Sequence, residues 1–450
     1  VTLDEVLALR VAVWGMGVEG CATVALARSR GVEPVLIDDH PERLADLEVL
    51  QGSGPPVLLP GAVPWSEVDV VVRAPGVSRY RPELALAESA GVVVTTAMAL
   101  WLDDYADATV LAVTGTKGKS TTAALAAAVL RGDGRTVDLI GNIGVPVLDT
   151  YGLPRADAYV VEVSSYQAVD ATCSPGVVVL TSLAPDHLDW HGGVEPYYRD
   201  KLRLIEAGPA AALAVSAGND EAVRRTAGHP DRTLYGPDGR VRVSAEGWVE
   251  VDGVVVADAG GLRVPGRHNA WNLCGAVVGA LLLTGSSPSP EAVSGAIDGY
   301  EGLPSRCQSI GIRGGRTYVD DALASNPFAA AASIETFSGR PLTVIVGGAD
   351  RGVDPAPLVA ALAAHRPPAS VIVLGPDSGR FVDACSDTGV AGAVLTADDV
   401  EGAVRLAAES TPEGGVVLFS PGAPTPEGSG GYRERSRQFA VAAGLNRLAG

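Results

Sequence analysis

Basic residues are scarce: 34 lysines and arginines face 53 aspartates and glutamates across 450 residues, a formal net charge of −19. Such a surface repels nucleic acid and anionic membranes, so neither is an expected partner. An anionic ligand must rely on local Lys, Arg or backbone donors. Cysteine is sparse too. Cys21, Cys173, Cys274, Cys307 and Cys385 are odd in number, scattered and without any CxxC spacing, which argues against a disulfide framework and a zinc site and fits a reducing cytoplasm. No apolar stretch approaches spanning length, the longest lying near Ala276 to Leu283, and no short internal repeat is visible. The opening Val1-Thr2-Leu3-Asp4-Glu5 is acidic where a secretory leader would be basic. A cytoplasmic protein that neither enters nor crosses a membrane is expected.

What is present is a globular composition, with 47% hydrophobic and 19% charged residues, enough apolar material for several cores. The length is more than one ordinary core holds and implies roughly two to four domains; three are expected, 1–104, 105–302 and 303–450. In the first, short β-branched runs (VAVWG, PVLIDD, DVVVRAPG, GVVVTT) alternate with Ala/Leu/Arg-rich helical stretches. The second repeats that rhythm from TVLAVTG through DAYVVEV and GVVVLTSL to an Ala/Leu/Val helix after Asn269, and the third in TYVDDA, PLTVIVGG, SVIVLG and GVVLFSP. Alternation of this kind implies βαβ units and parallel sheets. The expected fold is α/β throughout, with a Rossmann-like N-terminal domain, a central P-loop ATPase-type domain and a Rossmann-like C-terminal domain.

The most specific local signal is VTGTKGKSTT, residues 113–122. It follows a strand, precedes an Ala-rich helix and is one residue shorter between its glycines than the common P-loop. Gly115 and Gly118 let backbone amides converge on phosphate oxygens, Lys119 supplies a point charge, and the Ser120 hydroxyl is a Mg²⁺ ligand type. The competing reading, a Gly/Lys/Thr surface turn, does not explain why strand, glycines, Lys-Ser pair and helix occur in that order. Two polar sites follow later strands: Glu162 in VEVSSYQ and His187, between Asp186 and Asp189, in LAPDHLDWH. Alone, one is an ordinary strand end and the other an ordinary structural histidine. Ligands gather at the carboxyl ends of parallel strands, however, so the loop, Glu162 and His187 can surround one nucleotide and its metal.

Gly15, Gly17 and Gly20 in GMGVEG, with Asp38 after the second strand, form a GxGxxG pattern with a later acid. By itself that pattern suggests a dinucleotide site.

The loop, GNIG at 141–144, VEVSSYQ, the Asp-His-Leu-Asp segment, YYRDKLRL, GRHNAWN and LPSR stand in the order found in Mur ligases, and this chain resembles that family over nearly its whole length. GNIG, VSSYQ and the Rossmann-like first domain are most similar to the members that add glutamate to UDP-N-acetylmuramoyl-L-alanine. The resemblance implies an ATP-dependent ligase of peptidoglycan synthesis, with UDP-N-acetylmuramoyl-L-alanine, glutamate and ATP as small-molecule substrates and a monomer as the working form. Gly115, Thr116, Lys117, Gly118, Lys119, Ser120 and Thr121 would hold ATP, with Asn272 on the adenine side and Arg306 and Asp321 contacting the nucleotide from the third domain. Ser120 and Glu162 would serve one Mg²⁺ and His187 a second. Lys201 in DKLRLIE corresponds to a lysine carbamylated in the family; without the resemblance it reads as an exposed helix lysine. Lys119, Glu162, His187 and Lys201 would thus be the catalytic set. Gly15, Gly17, Gly20 and Asp38 would receive the uridine diphosphate in place of a dinucleotide, and Asn142, Ser164, Gln167 and the Ala74-Pro75-Gly76 turn would continue the substrate channel.

The third domain departs from the family pattern. Typical D-glutamate ligases carry DSKAT where this chain has Asp321-Ala322-Leu323-Ala324-Ser325, so Leu323 replaces a lysine and Ser325 a threonine. Arg351 stands where a second lysine is expected, and Thr425 and Tyr432 where Ser and Phe are usual. A desolvated anionic side chain needs charged or multiple hydrogen-bonding partners, so these changes imply a different amino-acid pose. L-glutamate is the expected substrate, with D-glutamate as the alternative. Rival readings are another amide ligase of the superfamily such as a folylpolyglutamate synthase, an NAD-dependent dehydrogenase, and a non-catalytic nucleotide-binding protein.

Overall fold

The computed structural model describes residues 2–41, 56–208, 211–262, 264, 266–349, 354–375, 379–387, 392–426 and 430–445. They cluster into two compact units, the first comprising Val1–Gly261 and Ala270–Ile297, the second Leu262–Asn269 and Asp298–Gly450.

Unit 1 contains two parallel sheets. The first is built from β1 (Val11–Trp14), β2 (Val35–Ile37), β3 (Val70–Arg73) and β4 (Val93–Thr95), in the order β2-β1-β3-β4. The second holds β5 (Val110–Thr114), β6 (Val137–Gly141), β7 (Ala158–Glu162), β8 (Val177–Leu180), β9 (Ala212–Ser216) and β10 (Arg232–Tyr235), ordered β10-β9-β8-β5-β7-β6. Every residue of β5, β7 and β8 is buried, which is why these strands read as unbroken apolar runs rather than alternating ones. Each such Val or Leu side chain contributes roughly 1.5–3 kcal/mol by leaving water. Chain order reverses beside β5, whose neighbours are β7 on one side and β8 on the other. In an open parallel sheet that reversal opens a crevice at the carboxyl ends of the strands, and the glycine-lysine loop leaves β5 there.

Unit 1 also carries a small antiparallel sheet outside the alternating pattern, β11 (Val241–Val243), β12 (Trp248–Val251) and β13 (Val254–Asp258). Its signal was available. Asp252 and Gly253 form a two-residue loop between the paired Val251 and Val254, both with positive φ (50° and 82°), the Asp-Gly chemistry of a tight hairpin.

Unit 2 holds β14 (Gln308–Arg313), β15 (Arg316–Asp320), β16 (Leu342–Val346), β17 (Ser370–Leu374), β18 (Val394–Ala397) and β19 (Val416–Phe419), ordered β14-β15-β19-β16-β17-β18. All neighbours are parallel except the edge pair β14 and β15. The α/β class expected from the alternating runs is what the chain adopts. Among the described residues no helix is long and apolar enough to cross a membrane.

Candidate active site

The loop after β5 is held open by its glycines. Gly115 has φ +143° and a Cβ there would lie 2.0 Å from Thr181 Oγ1; Gly118 has φ +87° and its Cβ would lie 2.4 Å from Asn272 Oδ1. Neither position tolerates a side chain. The helix Lys119–Gly132 starts directly after Gly118, so the positive helix end opens at the loop, while the Thr116 and Lys117 amides donate to Ser182 at 2.8 and 3.0 Å. The Thr116 side chain is spent on structure: its Oγ1 accepts the Ala184 amide at 3.0 Å and lies 2.8 Å from Tyr197 Oη. Asn272, 8% exposed, packs against Gly118 and accepts a hydrogen bond from Thr122 Oγ1 at 3.4 Å. Thr121 is partly buried on the first helical turn.

Two lysines converge on one carbonyl. Lys119 Nζ donates to the Gly115 and Thr116 carbonyls at 3.0 and 3.1 Å, and Lys201 Nζ donates to the Gly115 carbonyl at 2.9 Å. Lys201 lies on the helix Val194–Glu206 and is 1% exposed. The bare-sequence expectation of an exposed helix lysine is therefore overturned: Tyr197, Lys201 and Ile205 share the buried face at helical spacing. Burial, with the neighbouring Lys119 charge second, pushes the Lys201 ammonium well below the usual lysine range and favours a neutral amine.

Glu162 closes β7, fully buried. Asn142 Nδ2 donates to its Oε1 at 2.7 Å, and its Oε2 has no partner; the Ser120 hydroxyl is likewise buried and unpartnered. Orphaned buried oxygens of this kind call for a ligand, and both are oxygen donors of the sort Mg²⁺ takes. Among the described residues no group of three His, Cys, Asp or Glu side chains gathers to hold a metal.

His187 follows β8 with φ +52°, an unusual left-handed conformation for a non-glycine residue. Its side chain is half exposed, its ring sits 4.9 Å from that of Tyr166, and Nε2 lies 3.8 Å from Asp186. Partial burial lowers its pKa, the charges of Lys119, Lys117 and Lys201 act in the same direction, and Asp186 opposes them. Lys117 Nζ reaches Asp186 at 3.4 Å. The exposed Asp189 has no hydrogen bond to this group.

Behind the site lies a network that motif reading missed. His191, fully buried, places Nδ1 2.7 Å from Asp200 and Nε2 2.9 Å from Ser165 Oγ, and Asp200 also accepts Tyr80 Oη at 2.7 Å. Arg73, at the end of β3, donates to Asp170, to the Tyr166 carbonyl and to the Val77 carbonyl. These contacts fasten the first sheet to the turn after β7. Burial between Asp200 and Ser165, invisible locally, distinguishes His191 from the half-exposed His187.

At the first sheet, Gly15 (φ +95°) turns the chain from β1, Gly17 caps the helix Val18–Ser29, and a Cβ on Gly20 would lie 1.8 Å from the Gly15 carbonyl oxygen. Asp38 accepts the Met16 and His40 amides at 2.8 and 2.9 Å. With the Ala74-Pro75-Gly76 turn, Gly15, Gly17 and Asp38 line a cavity of about 380 Å³. Ser164 and Gln167 form a reciprocal capping box on the helix Ser165–Ala168. Glu19, not singled out in the sequence, hydrogen-bonds Gln167 Nε2.

In unit 2, Arg306 is exposed. Asp321 is 7% exposed and accepts Ser333 Oγ and Ser420 Oγ, both at 2.7 Å, and the Cys307 amide at 3.0 Å; burial lifts its pKa to about 6. Ser325 is exposed just before the helix Pro327–Thr336, Thr425 is partly buried, and Tyr432 packs against the sheet core. Arg351 lies outside the described residues.

Residues 113–280 match the Mur ligase middle domain and residues 305–422 the Mur ligase glutamate ligase domain. The chain is 42% identical to the UDP-N-acetylmuramoyl-L-alanine–L-glutamate ligase of a Micromonospora strain, over 98% of this chain and 97% of that protein. It belongs to the Mur ligase family. Relatives of this Mur ligase with the same name occur in Salinispora tropica (41% identical, 98% of both chains) and Xanthomonas euvesicatoria (34%, 97% and 95%). The fold is shared with the ADP-bound MurF ligase of Thermotoga maritima, at TM-score 0.61 and 17% identity over 96% and 93% of the two chains. It is also shared with a Mycobacterium tuberculosis folylpolyglutamate synthase bound to ADP, at TM-score 0.59 and 17% identity over 79% and 95%. This Mur ligase is an ATP-dependent amide ligase.

Proposed function

We propose that this ligase joins L-glutamate to the alanyl carboxylate of UDP-N-acetylmuramoyl-L-alanine through an acyl phosphate. A carboxylate and an amine at neutral pH form a salt, not an amide, because the oxygen is a poor leaving group. In the proposed sequence a carboxylate oxygen attacks the γ-phosphorus of ATP and ADP departs. The neutral amine of glutamate then attacks the acyl carbon, phosphate leaves with the C–O bond electrons, and the amine gives up its surplus proton.

The observation that carries this reading is the meeting of Lys119 and Lys201 at the Gly115 carbonyl beside the unpartnered Ser120 and Glu162 oxygens. Lys119 and the amides at the start of its helix neutralise phosphate charge; Ser120 and Glu162 would hold one Mg²⁺, His187 and a carbamylated Lys201 a second. Mg²⁺, when bound, supplies charge neutralisation at the transferring phosphoryl group. A near-neutral Lys201 amine is the form that captures CO₂, which supports carbamylation. Arg306 is assigned to the ATP phosphates, whose charge its guanidinium fork would neutralise. Thr116, Lys117, Thr121, Asn272 and Asp321 complete the ATP side. Gly15, Gly17, Gly20 and Asp38 take the uridine diphosphate, with Asn142, Ser164 and Gln167 beyond. The proposed division of labour is substrate nucleotide on 1–104, ATP on 105–302 and amino acid on 303–450.

The L configuration is favoured by the names of the Micromonospora and Salinispora relatives and by Leu323, Ser325, Thr425 and Tyr432, with Arg351 as the partner of the γ-carboxylate. The test is incubation with UDP-N-acetylmuramoyl-L-alanine, ATP and each glutamate enantiomer. Phosphate and amide form with L-glutamate; formation with D-glutamate alone removes the L assignment.

A further inference from the structure

Glu19 occupies the second position of the helix Val18–Ser29 and lines the 380 Å³ cavity at the glycine turn. One carboxyl oxygen accepts a hydrogen bond from Gln167 Nε2 on the neighbouring turn, and the second, Oε2, is sealed from solvent with no hydrogen-bond partner among the described residues. Among the described residues no cation forms an ion pair with it. Arg73 of β3 is the nearby positive group, but its guanidinium is committed to Asp170, at 2.6 Å, and to two carbonyls. The acids Asp38 and Asp39 line the same cavity, as does His40. Asp38 is bound to two backbone amides and Asp39 to Arg81 at 2.7 Å.

A diphosphate seated on this glycine turn and an ionised Glu19 would compete for the same positive helix end. Two anions in one partly dehydrated cavity repel; a carboxylic acid and an anion form a charge-assisted hydrogen bond. Rotation about the terminal Cγ–Cδ bond of Glu is soft, so the acid can present its O–H to a phosphate oxygen.

We propose that Glu19 binds the nucleotide-linked substrate as the neutral acid, donating its carboxyl proton to the diphosphate while Gln167 holds its other oxygen. Substrate recognition then depends on the proton carried by this one side chain. The idea rests on the reading that the first sheet receives a nucleoside diphosphate. Burial, opposed by the Gln167 hydrogen bond and the Arg73 charge, already lifts the free group to about 7. The competent fraction therefore falls across the neutral range, and apparent affinity falls with it.

The experiment is calorimetric titration of the full-length enzyme with UDP-N-acetylmuramoyl-L-alanine, without ATP, from pH 6 to pH 8. Both phosphates of this probe are esterified and its carboxylate is ionised throughout. With only the protonated form competent, Kd for the wild type rises about tenfold over that range, the ratio of protonated fractions for a group titrating near 7. Glu19→Gln, permanently neutral, keeps a Kd near the wild-type value at pH 6 and stays flat. A wild-type control independent of the variant's folding is uridine, which lacks phosphate and binds with no such slope. A flat wild-type profile, a Glu19→Gln profile parallel to the wild type, or the same slope with uridine overturns the proposal. Wild type that binds no uridine compound at any pH removes the underlying substrate reading, and the role of Glu19 with it.

Discussion

Lys201 Nζ donates to the carbonyl of Gly115 at 2.9 Å, so a side chain from the helix Val194–Glu206 is built into the floor of the phosphate loop. With its ammonium disfavoured by burial and by Lys119, this amine suits reaction with CO₂. Lys201→Ala should lose roughly a hundredfold or more in kcat, the scale of one preorganised electrostatic group. Intact-mass measurement of the wild type in bicarbonate should show one added carboxyl, and activity should fall when CO₂ is stripped and recover on its return.

Lys119→Ala should cost about a hundredfold or more in turnover, because the ammonium held at the Gly115 and Thr116 carbonyls is the loop's point charge. Steady-state ADP release measures it, and undiminished turnover contradicts the assignment.

These two lysines show how unevenly the site could be read. Gly115, Gly118, Lys119 and Ser120 are legible because strand, loop and helix are consecutive and each residue acts within a few positions of its neighbours. Lys201 becomes a site residue only through packing, although its place between Tyr197 and Ile205 on an apolar helix face was a usable sign. The parallel sheets were legible from buried strands such as β5. Glu19 was not, because the GMGVEG segment draws attention to its glycines, and its meeting with Gln167 joins residues 148 positions apart. In unit 2, the hydrogen bonds of Asp321 to Ser333, Ser420 and the Cys307 amide join segments too far apart in sequence for any local pattern to foretell.

Asp321 makes stability depend on pH. Its folded pKa, raised by burial to about 6, exceeds its unfolded value, so the folded state keeps a proton that the unfolded chain releases. The stabilisation is complete below the unfolded pKa and is lost as pH rises through the folded one. Relative to Asp321→Asn, wild-type unfolding free energy should decline by roughly 3 kcal/mol from about pH 4 to about pH 6 and then level off. A constant difference in denaturation measured across that range would count against a buried, titrating Asp321.

The Arg73 guanidinium is fully buried and paired with Asp170 at 2.6 Å. Asp170→Asn leaves that cation without its counter-charge and should destabilise unit 1 by roughly 3–5 kcal/mol, seen as a lowered unfolding midpoint.

Glycine substitutions separate folding from binding at the first sheet. Gly17 has ordinary φ and open space around its Cβ position, whereas a Cβ on Gly20 meets the Gly15 carbonyl at 1.8 Å. Gly17→Ala should fold with stability within about 0.5 kcal/mol of wild type yet bind the uridine nucleotide more weakly; Gly20→Ala should fail to fold normally. Thermal unfolding paired with titration distinguishes the two.

The most direct measurement is isotopic. UDP-N-acetylmuramoyl-L-alanine carrying heavy oxygen in its alanyl carboxylate is turned over with ATP and L-glutamate, and the released phosphate is analysed by mass. Attack of the carboxylate on the γ-phosphorus predicts one heavy oxygen in each phosphate formed with amide. Phosphate free of the label, with amide still produced, would contradict carboxylate activation by ATP at the Lys119 loop.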